Sequence, residues 1–204
     1  MIYHMEVSTL SRGKGRSLGA SLSYISGKKI HDRYSGKTYR HRRFDLVQCR
    51  VYLPPSSPNA LRDLQCLCDE LNKAEKRKDA RTGRLFICSL PNELVPGEWA
   101  KIVKDFIEEN FVAKGLCAVA AIHRGTNRDF PSKNNPHVHI SVSTRTVGPE
   151  GFNPQKDREH DKRCYIEIWR RAWAEVQNRA YERCHIEKRI SHESLRVQGI
   201  DRKP

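Results

Sequence analysis

The chain contains no apolar run approaching the length of a membrane-spanning helix, which excludes an integral helical membrane protein. Its first residues, Met-Ile-Tyr-His-Met-Glu-Val, lack the charged and apolar regions of a secretion signal, so a cytoplasmic protein is expected. It has no Cys-x-x-Cys pair, and its seven cysteines are an odd number. Cys66 and Cys68 fall two apart on a predicted helix and point in different directions, which argues against a structural zinc site. Cys88 and Cys117 lie in apolar runs, where a small buried thiol is the expected reading. Internal repeats and low-complexity segments are also lacking. Acidic residues are scarce beside basic ones, 24 against 38, for a formal charge of +14.

What is present describes one soluble domain over residues 1–204, with 37% hydrophobic and 30% charged residues. The charge excess implies a polyanionic partner. It concentrates in residues 11–50, where eleven Lys/Arg face only Asp32 and Asp45. Tyr24, Tyr34, Tyr39 and His41 are interleaved there, which suits a nucleic-acid surface: bases stack on aromatic faces while cations hold phosphates.

Alternation and turn signals predict strands at about 2–10, 46–53, 84–90, 116–123 and 137–144. Helices are expected from a Ser17 cap to about 26, from Ser57-Pro58 to about 79, from Pro96 to about 111, and over about 163–184. Trp99, Val103, Phe106 and Ile107 form the core stripe of the third helix; Ile166, Trp169, Trp173 and Val176 form that of the fourth. Residues 28–45 and 148–162 read as polar connections, and a short turn is expected near 191–198. The expected class is α+β: a central, mainly antiparallel sheet with helices on one face and the other free to carry a site.

The densest chemical signal is Asn134-Asn135-Pro136-His137-Val138-His139-Ile140. Alternate residues of a strand share a face, so His137 and His139 present their imidazoles together. His123 ends the preceding apolar run. Symmetric antiparallel pairing across 124–136 sets 123 opposite 137 and 121 opposite 139, which gathers three imidazoles on one face. Neutral imidazoles in that arrangement are ligands for Mn²⁺, Zn²⁺, Co²⁺ or Ni²⁺ and leave positions open for substrate oxygens. A carboxylate-free trio keeps the full positive charge for a phosphodiester oxygen. Tyr24, at the end of the predicted first helix, is the candidate nucleophile. A phenol titrates near about 10, so it needs a cation or a base to attack at neutral pH, and Lys28 and Lys29 lie close in sequence.

These segments, taken in order, resemble the MobA/MobL family of plasmid-mobilisation relaxases, of the HUH (His-hydrophobic-His) endonuclease superfamily. The resemblance rests on Ile2-Tyr3-His4, Ser11-Arg12-Gly13-Lys14-Gly15-Arg16-Ser17, Tyr24-Ile25-Ser26-Gly27, residues 74–81, Leu90-Pro91-Asn92-Glu93-Leu94, Ala121-Ile122-His123, Asn135-Pro136-His137-Val138-His139-Ile140, residues 169–174 and Gln198-Gly199-Ile200-Asp201-Arg202. It implies an HUH relaxase-like fold and a divalent ion, Mn²⁺ or Mg²⁺ above all, held by His123, His137 and His139. Tyr24 would become joined to the 5′-phosphate of a nicked oriT strand. Glu75 matches a family carboxylate that would orient a ligand histidine or accept a proton; pairing with cations on the helix surface is the plainer alternative. Arg12, Arg16, Lys28, Lys29, Arg40, Arg42 and Arg43 would track the DNA backbone. Implied partners are single-stranded and supercoiled plasmid DNA at oriT, accessory relaxosome proteins and a type IV secretion coupling protein, with no membrane. In this family the nicking domain is usually followed by primase, helicase or partner-binding regions. One departure is Arg84-Leu85-Phe86-Ile87-Cys88-Ser89-Leu90, where family members often carry glutamates. A rolling-circle initiator, an HUH transposase and a catalytically idle DNA-binding module of the same fold remain alternatives.

Overall fold

A computed structural model of the chain describes residues 3–125, 134–194 and 196–199. Ile2, residues 126–133 of the loop between the histidine-bearing strands, and residues 200–202 of the last matching segment lie outside the described residues.

Five strands form one antiparallel sheet. They are β1 (Met5–Ser11), β4 (Leu46–Tyr52), β5 (Arg81–Ser89), β6 (Leu116–His123) and β7 (His137–Gly148), in the order β1-β5-β7-β6-β4. A two-residue strand, β8 (Gly151–Phe152), pairs with the far end of β7, so β7 runs beyond the predicted 137–144. Four helices pack on it: α1 (Leu18–Ser26), α2 (Leu64–Ala74), α3 (Pro96–Asn110) and α4 (Cys164–Arg183).

Alternation along the strands splits the buried residues into two cores. Phe86, Cys88, Ala118, Ala120, Ile122, Val138 and Ile140 face α3 and α4, whose Trp99, Val103, Phe106, Ile107, Trp169, Trp173 and Val176 all pack there. Ile166 corrects the expected stripe: it is exposed, and its neighbour Tyr165 packs against the core instead. The opposite face carries Leu10, Cys117, Val119 and Ala121, covered by Leu18, Leu22 and Ile25 of α1 and Leu64, Leu67 and Leu71 of α2. Both faces are therefore clad, not one as expected, because the connections after β1 and β4 each carry an amphipathic helix back onto the sheet. Among the described residues no helix is long and apolar enough to cross a membrane. All seven cysteines are free, and Cys88 and Cys117 are buried as expected.

The helix ends explain how the site is framed. The Ser17 hydroxyl accepts from the Ala20 amide and starts α1; Gly27, at φ 73°, ends it in a left-handed cap that disfavours a side chain. The helix expected over 57–79 is shorter. Residues 59–62 form a 3₁₀ turn, Asp63 caps α2 through the Cys66 amide, and the chain leaves the helix at Glu75. Glu75 turns inward, only 2% exposed, because its carboxylate meets Arg145 and Lys156, both at 2.8 Å.

The connection 28–45 is not a plain loop either. Its β2 (Ile30–Asp32) and β3 (Lys37–Tyr39) form a hairpin on α1 and α2. Ile30 is buried, and the buried Asp32 carboxylate accepts from the Ser17 hydroxyl, the Gly19 and Tyr34 amides and the Asn72 side chain. One apolar residue and one networked acid anchor the hairpin, too little for a periodicity argument to detect.

Candidate active site

The register of β6 on β7 sets His123 opposite His137 and Ala121 opposite His139, as symmetric pairing requires. All three histidines face the α1 side, at the end of the sheet beyond the α1–α2 core. Their ring centroids are 5.0, 5.2 and 5.5 Å apart. Three imidazoles bound to one ion, with metal–nitrogen bonds of about 2.1 Å, place their centroids roughly 5 Å from one another.

Donor and acceptor roles follow from the neighbours. His137 Nδ1 lies 2.7 Å from the Asn135 carbonyl, which can only accept, so Nδ1 carries the proton and Nε2 keeps its lone pair. His123 Nε2 lies 2.8 Å from the Ile25 carbonyl and must donate, which leaves the lone pair on Nδ1. That Nδ1 is buried without a hydrogen-bond partner, 3.4 Å from the Asp45 carboxylate. A lone pair facing a carboxylate repels it unless a cation lies between. Burial, then the neighbouring rings, push His139 down to about 3; burial likewise lowers His123, so both are neutral at ordinary pH. Ring spacing, protonation state and the orphaned nitrogen all fit a divalent cation. The donor atoms themselves are not yet converged: among the described residues no three side chains hold one ion as they stand.

Tyr24 comes over the cluster from the last turn of α1. Its ring is edge-on to His139 at 5.8 Å and to His41 at 5.7 Å. The side chain is 46% exposed. It borders a cleft of about 730 Å³ that also takes in Tyr3, His4, Ser89, Asn92 and both β7 histidines. An exposed phenol beside a cluster of imidazoles is an arrangement that can support nucleophilic chemistry on a polymer.

The basic residues divide. Lys28, Lys29, Arg40 and Arg42 are exposed. Arg16 is exposed too, and steadied by the Ser8 hydroxyl and Thr9 carbonyl. Arg43 is turned inward: its guanidinium covers the Tyr24 ring at 3.9 Å, and its Nε donates to the Tyr24 carbonyl at 2.8 Å. Arg12 is wholly committed to the protein. It lies 3.4 Å from the Tyr34 ring centre and donates to Asn72 and to the Glu75 and Arg77 carbonyls. Sequence reading placed it on DNA; the structure makes it a clamp. Arg12→Ala is expected to cost about 2 kcal/mol of stability while leaving the salt dependence of DNA binding unchanged, checked by denaturant melts and salt titrations.

Glu75 also falls away from its expected place. Its partners are Arg145, Lys156 and the Thr144 hydroxyl. Arg145 is eight residues from His137 along β7, which puts it roughly 25 Å off. Neither orientation of a ligand histidine nor helix-surface pairing describes it: it is a buried ion-pair centre. Sequence reading passed over Asp45, beside His123, and His4, whose row on the sheet runs through Ser89 to His137. Face alternation from His123 and His137 could have found His4; Asp45 gave no signal. Arg84 on β5, the strand that departs from the family's pattern, is buried against Asp157 and Asp161.

The model of the MobA/MobL family matches residues 16–204. The "Probable mobilization protein MobA" of Bifidobacterium longum is 29% identical over 246 aligned positions, covering 100% of this chain and 42% of that protein. The chain thus spans less than half of that relative's length. The structure described as "Molecular Basis of Vancomycin Resistance Transfer in Staphylococcus aureus" superimposes with a TM-score of 0.84 at 23% identity, covering 95% of this chain and 100% of that one. A MobM relaxase domain solved with plasmid pMV158 oriT DNA and Mn bound matches at a TM-score of 0.50 and 12% identity, covering 98% of each chain. The shared fold is that of relaxase domains.

Proposed function

The chain belongs to the MobA/MobL family, and from that premise we propose that it is a relaxase, nicking one strand of plasmid oriT DNA through a covalent Tyr24 intermediate. The observation that carries the proposal is the exposed Tyr24 phenol ring edge-on to His139 within the three-histidine cluster. In the reaction the Tyr24 oxygen forms a bond to the scissile phosphorus and the bond to the 3′-oxygen breaks. The departing oxygen takes its electron pair and a proton, so the phenol's proton is balanced by that of a free 3′-hydroxyl. The phosphotyrosine link keeps the energy of the phosphodiester, and the same groups can reverse the step to reseal the strand.

His123 through Nδ1, His137 through Nε2 and His139 would hold a divalent cation, with Mn²⁺ favoured by the MobM relative and Mg²⁺ the other expectation. When bound it would supply positive charge to the phosphodiester oxygens. The chain's own groups do the rest. Ile25 and Asn135 carbonyls fix the tautomers of His123 and His137. Arg43 and His41 hold the Tyr24 ring. Arg16, Lys28, Lys29, Arg40 and Arg42 carry the strand's phosphates. The proposal places this activity in the cytoplasm, alongside accessory relaxosome proteins and a secretion coupling protein.

The test is incubation with labelled single-stranded oriT oligonucleotides and Mn²⁺, read on a denaturing gel. A protein–DNA adduct that disappears with EDTA is expected. Binding without any adduct or cut would leave an idle DNA-binding module instead.

A further inference from the structure

Tyr24 borders a second, smaller groove. It lies between α1 and strands β1 and β5, holds about 190 Å³, and takes in Glu6, Ser8, Arg16, Ser21 and Ile87. Glu6, Ile87 and His139 are in register on adjacent strands, so Glu6 stands two inter-strand spacings, roughly 10 Å, from His139 on the same face. The two grooves meet at Tyr24 and His139. A strand reacting at Tyr24 would have the cleft on one side of its phosphate and this groove on the other.

Glu6 is an exposed carboxylate in a protein of formal charge +14. Arg16, at the groove's rim, bonds to Ser8 and Thr9 and not to Glu6. Among the described residues no cation is paired with Glu6. A bare carboxylate repels phosphates, so at this point the backbone must ride on the Arg16 side and turn a base toward β1. The apolar floor at Ile87 and Leu85 suits the flat face of that base.

We propose that Glu6 reads the base lying next to the scissile phosphate and selects guanine; this deepens the relaxase reading and rests on it. A carboxylate offers two adjacent acceptors and no donor. In a single strand the Watson–Crick edges are open, and guanine alone presents two adjacent donors there, N1–H and the N2 amine. Adenine and cytosine offer one amine beside an acceptor, and thymine one N–H between two carbonyls. Two parallel bonds to an ionised acceptor favour guanine, and thymine is the base most strongly rejected.

The experiment uses a library of single-stranded oligonucleotides with randomised positions, selected for binding on the Tyr24→Phe protein so that no product is lost by cleavage. One position dominated by guanine is expected, and the same selection with Tyr24→Phe/Glu6→Gln loses that preference. On the selected oligonucleotide, inosine at that position, lacking the N2 amine, should weaken binding about tenfold for the Tyr24→Phe protein and have little effect when Glu6 is also glutamine. A pool without such a position, or a preference unchanged by Glu6→Gln, overturns the proposal. So does a loss of cleavage in Glu6→Gln with base preference intact, which would make Glu6 a proton acceptor for Tyr24. Wild-type protein tested for the covalent adduct on the same oligonucleotide judges the relaxase reading separately.

Discussion

Tyr24→Phe is expected to abolish the covalent protein–DNA adduct and lower strand cleavage on the order of 10³-fold or more, while binding single-stranded oriT DNA as tightly as the wild type. The phenol oxygen is the only atom removed. The ring keeps its edge contacts with His41 and His139 and its place under Arg43. Because the side chain is half exposed, the loss of one hydroxyl has almost no effect on folding, so a drop in activity is not explained by unfolding. Denaturing gels and filter binding on the same preparation separate the two effects. Undiminished nicking would remove Tyr24 from the mechanism and shift attention to a water nucleophile.

The second large effect concerns stability. Glu75→Ala removes the carboxylate between Arg145 and Lys156 and leaves two cations facing each other in a buried place. Breaking a buried pair in this way costs about 3–5 kcal/mol, or a fall in melting temperature of roughly 10 °C for a domain of this size. Burial alone would raise the Glu75 pKa, but hydrogen bonds and charge from Arg145 and Lys156 outweigh it, and the net direction is down. The contribution is therefore complete above the unfolded carboxylate value of about 4.3 and fades as the pH falls through the lower folded value. Wild type and Glu75→Gln should differ most in thermal midpoint at neutral pH and converge in acid. A Glu75→Gln protein that melts normally yet cannot cleave would reinstate the carboxylate as part of the chemistry.

The contrast between these two residues shows what a single sequence reveals. The histidine trio was legible because strand periodicity and antiparallel pairing are local, arithmetic constraints: once two apolar runs pair across a loop, the faces are fixed. The place of Tyr24 at the end of the first helix was legible because Ser17 and Gly27 bracket that helix. Glu75 was not, since its partners lie 70 and 81 positions away and meet it only in the folded chain. The same holds for the cations. Arg12, Arg43 and Lys28 were alike expected on the DNA backbone, and only the fold shows that Tyr34 and Asn72 engage the first while the second lies over Tyr24. The hairpin at 30–39 escaped because Asp32, a polar residue, does the anchoring that an apolar residue normally does. The cladding of both sheet faces escaped because strand order depends on long-range pairing.

His137 and His139 stand on β7, which has a hydrogen-bonded neighbour on each side, whereas Tyr24 rides on a nine-residue helix tied to the sheet by side-chain contacts. Tension on a DNA end joined to Tyr24 would reach that helix first and could displace it without breaking one inter-strand bond. The two β7 imidazoles would stay in place like an anvil under a moving hammer, ready for the tyrosine's return, while His123 would lose its bond to the Ile25 carbonyl until the helix returned. Under load, then, the helix is the mechanical fuse and the sheet the fixed reference.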